Sequence, residues 1–344
     1  GHPAAKGARR RSLIFFGLHG RFGMSFLVVH TDPHHTDFRD EQAELDAIGA
    51  RLRTLNVTTE EEVAAACQEA DALLVTYAKV GKIALAGMPK LKIVVRTGVG
   101  YDSLDVQAAT ERKVMMANVP DYCVSDLAEH TMALLLAWWR RIAELDRQVR
   151  TEGWGRSIKP VYRLEGKTLG LLGMGRMGQA VAARARGFGL TLLGYDPYIP
   201  QHVFSALEVA PVGLEDLLRA SDIVTIHSLL NAETRGIICE RTLRTMKPTA
   251  VIVNTARGGL IVTDDLVRAL KEGWIAGAAL DVTEPEPLPL DHPIRHLPRV
   301  LLTPHAAWYS EEAEPELRRR AARTVVQAMR GERPATLLNP EVCG

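Results

Sequence analysis

The sequence has few cysteines and almost no net charge. Its four cysteines stand far apart along 344 residues, without the close pairs of a disulfide-rich domain or a cysteine-ligated zinc site. We therefore expect a protein of a reducing compartment, the cytoplasm, and we predict no metal site. The formal net charge of +1, with no long block of one sign, argues against nucleic acid or a membrane surface as a partner.

Long hydrophobic runs are also missing. The longest candidate, Met132–Trp139, is far shorter than the roughly 20 residues that span a bilayer, and it has polar flanks. Residues 1–23 place a basic cluster before a short apolar stretch and so imitate a signal peptide, but glycine, histidine and arginine interrupt that stretch. We interpret 1–23 as a leader or a cloning-derived segment outside the fold, which would begin near Met24.

Short apolar runs alternate with helical patterns through the rest of the chain. With 344 residues, the chain is long enough for about two domains. Alternating strands and helices predict parallel sheets with helices on both faces, a doubly wound α/β fold. Ser125–Arg147 is predicted as one long helix with an apolar middle, which indicates either a domain-connecting helix or a subunit interface. We favour the interface slightly, and with it a homodimer.

A glycine-rich turn followed by an acid organises the second half of the sequence. An apolar run ends in the motif Gly-x-Gly-x-x-Gly at Gly173, Gly175 and Gly178, with Arg176 and Met177 inside it. A helical segment and a second apolar run follow, and that run ends at Asp196 about 20 residues later. Such a turn lets a pyrophosphate approach the backbone at a helix N-terminus, and the acid can accept both ribose hydroxyls. This order predicts a dinucleotide site.

Polar or glycine residues follow every predicted strand of this second sheet. The strands are predicted at 169–172, 191–195, 223–226, 250–253, 278–280 and 300–302. The residues directly after them include Gly173, Asp196, His227, Asn254, Asp281 and His305. Because doubly wound sheets bind ligands beyond the carboxyl ends of their strands, we expect the chemistry to occur there.

Three side chains at these strand ends suit hydride transfer to a 2-oxo acid. Arg257, in a glycine-flanked turn, can hold a carboxylate; alone it would more often be a surface ion-pair partner. His305 can donate a proton near neutral pH, although a lone histidine would more often be structural. An acid of the Asp281–Pro287 loop, Glu284 or Glu286, could support an imidazolium.

Together these motifs make the sequence similar to the D-isomer-specific 2-hydroxyacid dehydrogenases. The resemblance rests on the Gly173–Gly178 turn with Asp196, on Asn254–Gly258, on Asp281–Pro287 and on Thr303–His305. It implies two Rossmann-like or flavodoxin-like domains around a cleft. The substrate domain would combine 24–121 with 311–340, and the NAD-binding domain would be 122–310.

The resemblance also implies roles for single residues. Arg257 would bind the substrate carboxylate and carbonyl, Glu286 rather than Glu284 would pair with His305, and His305 would donate the proton. Asp281 would contact the nicotinamide carboxamide. The other implied cofactor contacts are His227, Thr255, Ala256, Arg257 and His305. The segment 227–230 lacks the proline that many family members carry there, and Asp196 favours NAD over NADP.

Within this family the chain is most similar to the branch of the C-terminal-binding proteins. The similarity lies in Val95–Asp102 and in His305–Ser310. It implies a substrate pocket shaped by Arg96, Val99, Gly100 and Trp308, although Trp308 could equally be a core residue. The expected function is NAD-dependent reduction of a 2-oxo acid to a D-2-hydroxy acid. The alternative is an NADH-responsive binding protein with little turnover.

Overall fold

The described chain, residues 26–155 and 160–343 of a computed structural model, folds around two separate parallel β-sheets. The predicted leader, 1–23, lies outside the described residues. Every strand pairing in both sheets is parallel, so the carboxyl ends of the strands in each sheet lie along one edge. The prediction of two doubly wound α/β domains is confirmed.

The first sheet has five strands in the order β2-β1-β3-β4-β5, the flavodoxin-like arrangement. Its strands are β1 Leu27–His30, β2 Arg51–Thr54, β3 Ala72–Val75, β4 Ile93–Arg96 and β5 Met115–Ala117. Its helices are α1 Arg39–Leu45, α2 Glu60–Ala66, α3 Lys82–Ala86 and α4 Val106–Glu111. The central strands β3 and β4 are buried along their whole length, as expected when helices cover both faces.

The second sheet has seven strands in the order β12-β11-β10-β9-β6-β7-β8, a Rossmann-like sheet with one additional strand. Its strands are β6 Thr168–Leu172, β7 Thr191–Tyr195, β8 Ala210–Pro211, β9 Ile223–Ile226, β10 Val251–Asn254, β11 Gly277–Leu280 and β12 Val300–Leu302. Its helices are α7 Arg176–Ala185, α8 Gln201–Ala206, α9 Leu214–Ala220, α10 Glu240–Leu243 and α11 Thr263–Glu272. Strands β2 and β8 were not predicted.

The long helix predicted over Ser125–Arg147 is in fact two helices, and that prediction was wrong. Helix α5 covers Val124–Trp139 and helix α6 covers Ile142–Glu152. Arg141 takes a left-handed conformation with φ of 56°, which ends the first helix and redirects the chain. The apolar middle of α5 lies inside the chain, where the Trp138 indole donates to the Arg299 carbonyl at 2.7 Å.

The C-terminal helix α12, Ala313–Met329, returns to the first sheet. Its residues Leu317, Ala321 and Val325 are buried in one core with Val28 and Leu45. Within the described part of the chain, no helix combines the length and the apolar character that crossing a bilayer requires.

Candidate active site

A cleft is lined mainly by the carboxyl-end loops of both sheets. The first sheet contributes Tyr77 and Arg96, and the second contributes Arg257 and His305. Residues that are distant in the sequence therefore meet in one cavity.

The glycine-rich turn lies at one end of this cleft, and each glycine meets a different spatial requirement. Gly173 has a φ of +100°, and a Cβ there would lie 2.6 Å from the Ser228 amide nitrogen. A Cβ on Gly178 would lie 2.1 Å from the Gly173 carbonyl oxygen, so the helix and the turn can pack closely only without a side chain. Gly175 caps α7, and a Cβ there would meet nothing within 4 Å. The N-terminus of α7 is thus open to a phosphate group.

Two residues inside the turn point to different surroundings. Arg176 is exposed, whereas Met177 lines the cleft and packs against the core of the first sheet. Met177 therefore joins the glycine-rich turn to the other half of the molecule.

Asp196, directly after β7, ties the ends of two neighbouring strands together. Its Oδ2 accepts from the Met174 amide at 2.9 Å, and its Oδ1 accepts from the Tyr198 amide at 3.0 Å. These bonds fix the carboxylate beside the glycine-rich turn, where the sequence predicts an adenosine ribose.

His227, directly after β9, is a neutral residue of the cleft wall. Its Nε2 lies 2.9 Å from the Thr225 hydroxyl, and burial lowers the pKa of His227 to about 3. Because the charged form would have to be desolvated, the ring is uncharged at neutral pH.

The loop after β10 is held in shape by Asn254, which is fully buried. Its side-chain oxygen accepts from the Ala256 amide at 3.0 Å, and its side-chain nitrogen donates to the Arg257 carbonyl at 2.9 Å. Thr255 is anchored to α5, since its hydroxyl lies 2.9 Å from the Thr131 hydroxyl. Gly258 touches the loop of the acids, because a Cβ there would lie 2.1 Å from the Thr283 carbonyl oxygen.

Arg257 reaches from this loop to the first half of the molecule. Its Nε donates to Asp102 Oδ1 at 2.9 Å, and its Nη1 donates to the Ala256 carbonyl at 2.9 Å. Burial raises the pKa of Asp102, but the charge and hydrogen bond of Arg257 outweigh it and lower that pKa overall. A Cβ on Gly100 would lie only 1.9 Å from the Arg257 Nη2, so the guanidinium occupies space that the glycine leaves open.

Arg96 supplies a second guanidinium to the cleft and is 7% exposed. Its Nη1 donates to the Thr97 carbonyl at 2.6 Å, and its Cζ lies 5.5 Å from the centre of the Tyr77 ring. A Cβ on Gly98 would lie 1.3 Å from the same Nη1. Burial, and then the charge of Arg257, lower the pKa of Arg96. Two cationic groups thus line one cavity.

His305 and Glu286 form a close pair at the cleft. The His305 Nδ1 lies 2.5 Å from Glu286 Oε1, and the Tyr77 hydroxyl lies 3.3 Å from the same nitrogen. Glu284, the other acid of the loop, instead binds Arg235 at 2.9 Å. Of the two acids that the sequence left open, the structure brings Glu286 to the histidine.

Asp281 supports the turn that carries His305. Its Oδ1 accepts from the Ala306 amide at 2.9 Å and from the Thr303 hydroxyl at 2.5 Å. Its Oδ2 accepts from the Ala307 amide at 2.9 Å. The carboxylate lines the cleft, yet both oxygens already bind the turn. The nicotinamide contact implied by the resemblance stays a prediction, and positioning His305 is a role that the sequence analysis missed.

Trp308 and Val99 form an apolar part of the cleft wall. Both line the cavity, and both pack against the core of the first sheet. The Trp308 ring lies 6.3 Å from the Tyr122 ring. Trp308 is therefore both part of the pocket wall and a core residue, and the two interpretations of it are compatible.

Two further residues of the site, Tyr77 and Asp102, were missed. Asp102 ends the Val95–Asp102 motif, so its place in that motif was a usable signal. Tyr77 follows β3 closely, and the end of a parallel strand is where binding residues collect. Apart from that position, nothing in its sequence surroundings distinguishes it.

Comparison with known proteins places this geometry in a family. Residues 132–307 match the family model for the D-isomer specific 2-hydroxyacid dehydrogenase, NAD binding domain. A glyoxylate reductase of Korarchaeum cryptofilum is 45% identical over 258 residues, covering 74% of this chain and 78% of that protein. A D-3-phosphoglycerate dehydrogenase of Methanocaldococcus jannaschii is 39% identical over 314 residues, covering 91% of this chain and 59% of that protein.

A solved structure agrees with these matches over nearly the whole chain. The crystal structure of a glyoxylate reductase from Paecilomyes thermophila has a TM-score of 0.83 at 28% identity, covering 92% of this chain and 99% of that one. The chain belongs to the D-isomer specific 2-hydroxyacid dehydrogenase family and is an NAD-dependent oxidoreductase.

Proposed function

We propose that this protein reduces a 2-oxo acid to a D-2-hydroxy acid with NADH, in a reversible reaction. The pairing of His305 with Glu286, in the cleft that also holds Arg257, is the observation that carries the proposal. A cation for the substrate carboxylate and a proton donor for its carbonyl are what this reduction requires of a protein.

Arg257 would bind the substrate carboxylate and polarise the carbonyl. Asp102 and the Ala256 carbonyl already hold the guanidinium, so little side-chain freedom is lost when a substrate binds. Arg96 would add a second positive charge, with Val99 and Gly100 forming the neighbouring wall.

His305 would protonate the substrate oxygen. When bound, NADH supplies the hydride that reduces C2 of the substrate. Because Glu286 occupies the Nδ1 side of the ring, the opposite nitrogen, Nε2, is the one that would donate the proton. Glu286 would hold the ring in place for this transfer, and Tyr77 would help to orient it.

The cofactor would lie along the second sheet, and the residues there fit it. Gly173 and Gly178 allow a close approach of turn and helix, and Gly175 leaves the start of α7 open for a pyrophosphate. Asp196 would bind the ribose hydroxyls and disfavour a 2′-phosphate, which supports a preference for NAD over NADP. Further contacts would come from Arg176, Met177, His227, Thr255, Ala256, Asp281 and His305.

We further propose a substrate with a moderately long apolar side chain. Trp308 and Val99 support this choice, because they give the cleft an apolar wall. The resemblance of His305–Ser310 to the C-terminal-binding proteins supports it too. That same resemblance keeps a second candidate in place: an NADH-responsive regulatory protein with little turnover.

A panel of 2-oxo acids would test both candidates. NADH oxidation would be measured with glyoxylate, hydroxypyruvate, 3-phosphohydroxypyruvate and a branched-chain 2-oxo acid, and each assay would be repeated with NADPH. We expect turnover with NADH, fastest for the branched-chain acid. Fastest turnover with glyoxylate would move the substrate assignment toward the small acids. Tight NADH binding without turnover on any acid would favour the regulatory candidate.

The organisation of the chain completes the proposal. We propose 24–121 with 311–340 as the substrate domain and 122–310 as the NAD-binding domain. The packing of α12 against the core of the first sheet supports this division. A homodimer is also proposed, now through α6, because α6 exposes the apolar side chains Ile142 and Val149.

A further inference from the structure

A buried group of two histidines and one glutamate lies in the wall of the cleft, apart from the residues assigned above. His30 ends β1, His35 follows in the irregular segment after it, and Glu41 lies in α1. One donor atom from each lies within 4.8 Å of the other two. The spacing of these residues matches no metal-binding motif, so the sequence predicted no metal here.

Two of the three side chains are almost completely buried and incompletely hydrogen bonded. His30 and Glu41 are each 1% exposed. Among the described residues, the His30 Nδ1 and the Glu41 Oε2 have no hydrogen-bond partner. A buried carboxylate oxygen without a donor is costly, so this group is incomplete as a purely structural network.

The contacts that these side chains do make leave them oriented as ligands. The His30 Nε2 lies 3.3 Å from the Thr76 hydroxyl, which leaves Nδ1 as the available nitrogen. The His35 Nε2 lies 2.7 Å from Glu41 Oε1. For His30, holding one ring nitrogen by a hydrogen bond while the other binds a metal is the usual outer-shell arrangement of metal sites. The His35–Glu41 contact joins two of the proposed ligands, so a metal would take its place.

Arg318 lines the same cleft wall as this group but does not pair with Glu41. The guanidinium of Arg318 is paired with Glu314 at 2.5 Å, and its Nη1 donates to the Asp37 carbonyl at 3.2 Å. Glu41 pairs instead with His35, whose Nε2 lies 2.7 Å from its Oε1.

From this arrangement we infer that His30, His35 and Glu41 form a binding site for a divalent transition-metal ion such as Zn²⁺. Two imidazole nitrogens and one carboxylate form a ligand set that zinc accepts, with a fourth position left for water or another ligand. Zinc lies about 2.0–2.2 Å from such ligands, so the three donors would draw closer on binding. His35 lies outside regular structure and can make that adjustment, whereas the strand and the helix fix the other two.

The test is equilibrium dialysis of the full chain, first stripped with a chelator, against ZnCl₂, with Co²⁺ absorption as a spectroscopic readout. We expect one ion per chain in the wild type, and at least tenfold weaker binding in His35→Gln and in Glu41→Gln. Glu44→Gln, one turn along the same helix and paired only with Arg323 in the described structure, is the matched control and should bind like the wild type. His202→Gln, an exposed histidine in α8, controls for the loss of a histidine.

Circular dichroism and NADH affinity would show that each variant is folded. If Glu41→Gln does not fold, His35→Gln carries the test, together with a zinc-dependent rise in the melting temperature of the wild type. Absence of stoichiometric binding at micromolar Zn²⁺ would overturn the inference. So would binding that persists unchanged in both variants, because the ion would then lie elsewhere, for example at His2 or His19 outside the described residues.

Discussion

At the scale of single residues, two glycines determine where two guanidinium groups can lie. Gly98 leaves space for Arg96, and Gly100 leaves space for Arg257. The backbone of Gly98 has a φ of +151°, which most side chains avoid. The backbone of Gly100 carries no such constraint, and what leaves no room for a side chain there is the guanidinium of Arg257. Gly100 therefore allows the position of Arg257 to be changed without straining the backbone.

Gly100→Ala should reduce substrate binding while leaving the fold intact. The new Cβ would collide with the Arg257 Nη2 at 1.9 Å, and the flexible side chain would move away. Since a charge-assisted hydrogen bond contributes about 1.5–3 kcal/mol, kcat/KM should fall roughly ten- to a hundredfold, mainly through KM. Steady-state kinetics and thermal unfolding would measure both effects. Gly187→Ala, whose Cβ would meet nothing within 4 Å, should match the wild type.

Glu286→Gln should lower kcat by about a hundredfold or more, because the amide cannot stabilise an imidazolium as a carboxylate does. The affinity for NADH, measured by fluorescence, should change little. Glu284→Gln is the matched control in the same loop, since it removes only an exposed ion pair with Arg235. Equal loss of activity in the two variants would contradict the pairing of Glu286 with His305 as the functional one.

His227 should make the protein less stable as the pH falls. Its pKa is about 3 in the folded chain, against an ordinary value of 6.5, so between these values only the unfolded chain binds the proton. The contribution of His227 to the free energy of unfolding should therefore decrease by about 1.4 kcal/mol per pH unit as the pH falls from 6.5 toward 3. Denaturant titrations of His227→Gln at several pH values should show a correspondingly shallower dependence. The exposed His202→Gln should keep the wild-type dependence.

The site residues differ in how far the sequence could identify them. Arg257, Glu286 and His305 stand in motifs that follow strands, and motifs of this kind are visible in a sequence. Tyr77 has no motif, and its place beside His305 depends on how the two halves of the molecule meet. The group of His30, His35 and Glu41 could not be predicted from the sequence for a similar reason. Its members come from a strand, a loop and a helix, and only the folded chain brings them together.

At the scale of helices and strands, the break between α5 and α6 separates two surfaces. Helix α5 is covered by the core of the second sheet, whereas α6 exposes Ile142 at 55% and Val149 at 45%. These two residues are seven positions apart and therefore lie on one face of α6. The dimer interface proposed above therefore belongs to this face of α6, which extends past the end of the predicted segment at Arg147.

The double variant Ile142→Glu and Val149→Glu should convert a dimer into a monomer. Two charges on that face would have to be desolvated in an interface, which is costly. Sedimentation velocity at micromolar concentration would measure the change. Leu290→Glu, at an exposed leucine that is not part of α6, should leave the dimer unchanged. A monomeric wild type would refute the proposed dimer.

Strands were predicted well where they are apolar runs, including the edge strand β12, and poorly where they are polar or very short. The inner strands of the second sheet are largely apolar runs, and their positions agreed with the prediction to within about a residue. Strand β2 reads Arg-Leu-Arg-Thr and is mostly exposed, so it lacks the apolar signal of a strand. Strand β8 has only two residues, and one of them is a proline. Both are recognised as strands only because a neighbouring strand pairs with them.

At the scale of the whole molecule, the first sheet depends on the far end of the chain. Leu317, Ala321 and Val325 of α12 fill the core that also contains Val28 and Leu45. Removing α12 would expose this apolar surface to water.

A chain that ends at Ser310 should therefore lose the structure of the first sheet but keep that of the second. Limited proteolysis should degrade 26–121 rapidly while 122–310 resists, and the truncated protein should still bind NADH. The full chain under the same protease is the reference. If 26–121 stayed resistant without α12, the proposed discontinuous domain would be wrong.

The ion pair between Arg257 and Asp102 has one member in each half of the molecule. His305, Glu286 and Arg257 all come from the half that binds the cofactor, whereas Arg96, Tyr77 and Val99 come from the other half. On the proposed roles, the reacting groups and most of the groups that would select the acid, Trp308 excepted, are encoded in different stretches of the gene. Exchange of the first stretch between relatives should then alter which acid is accepted and leave the reaction itself untouched, provided that the incoming stretch carries an acid at position 102.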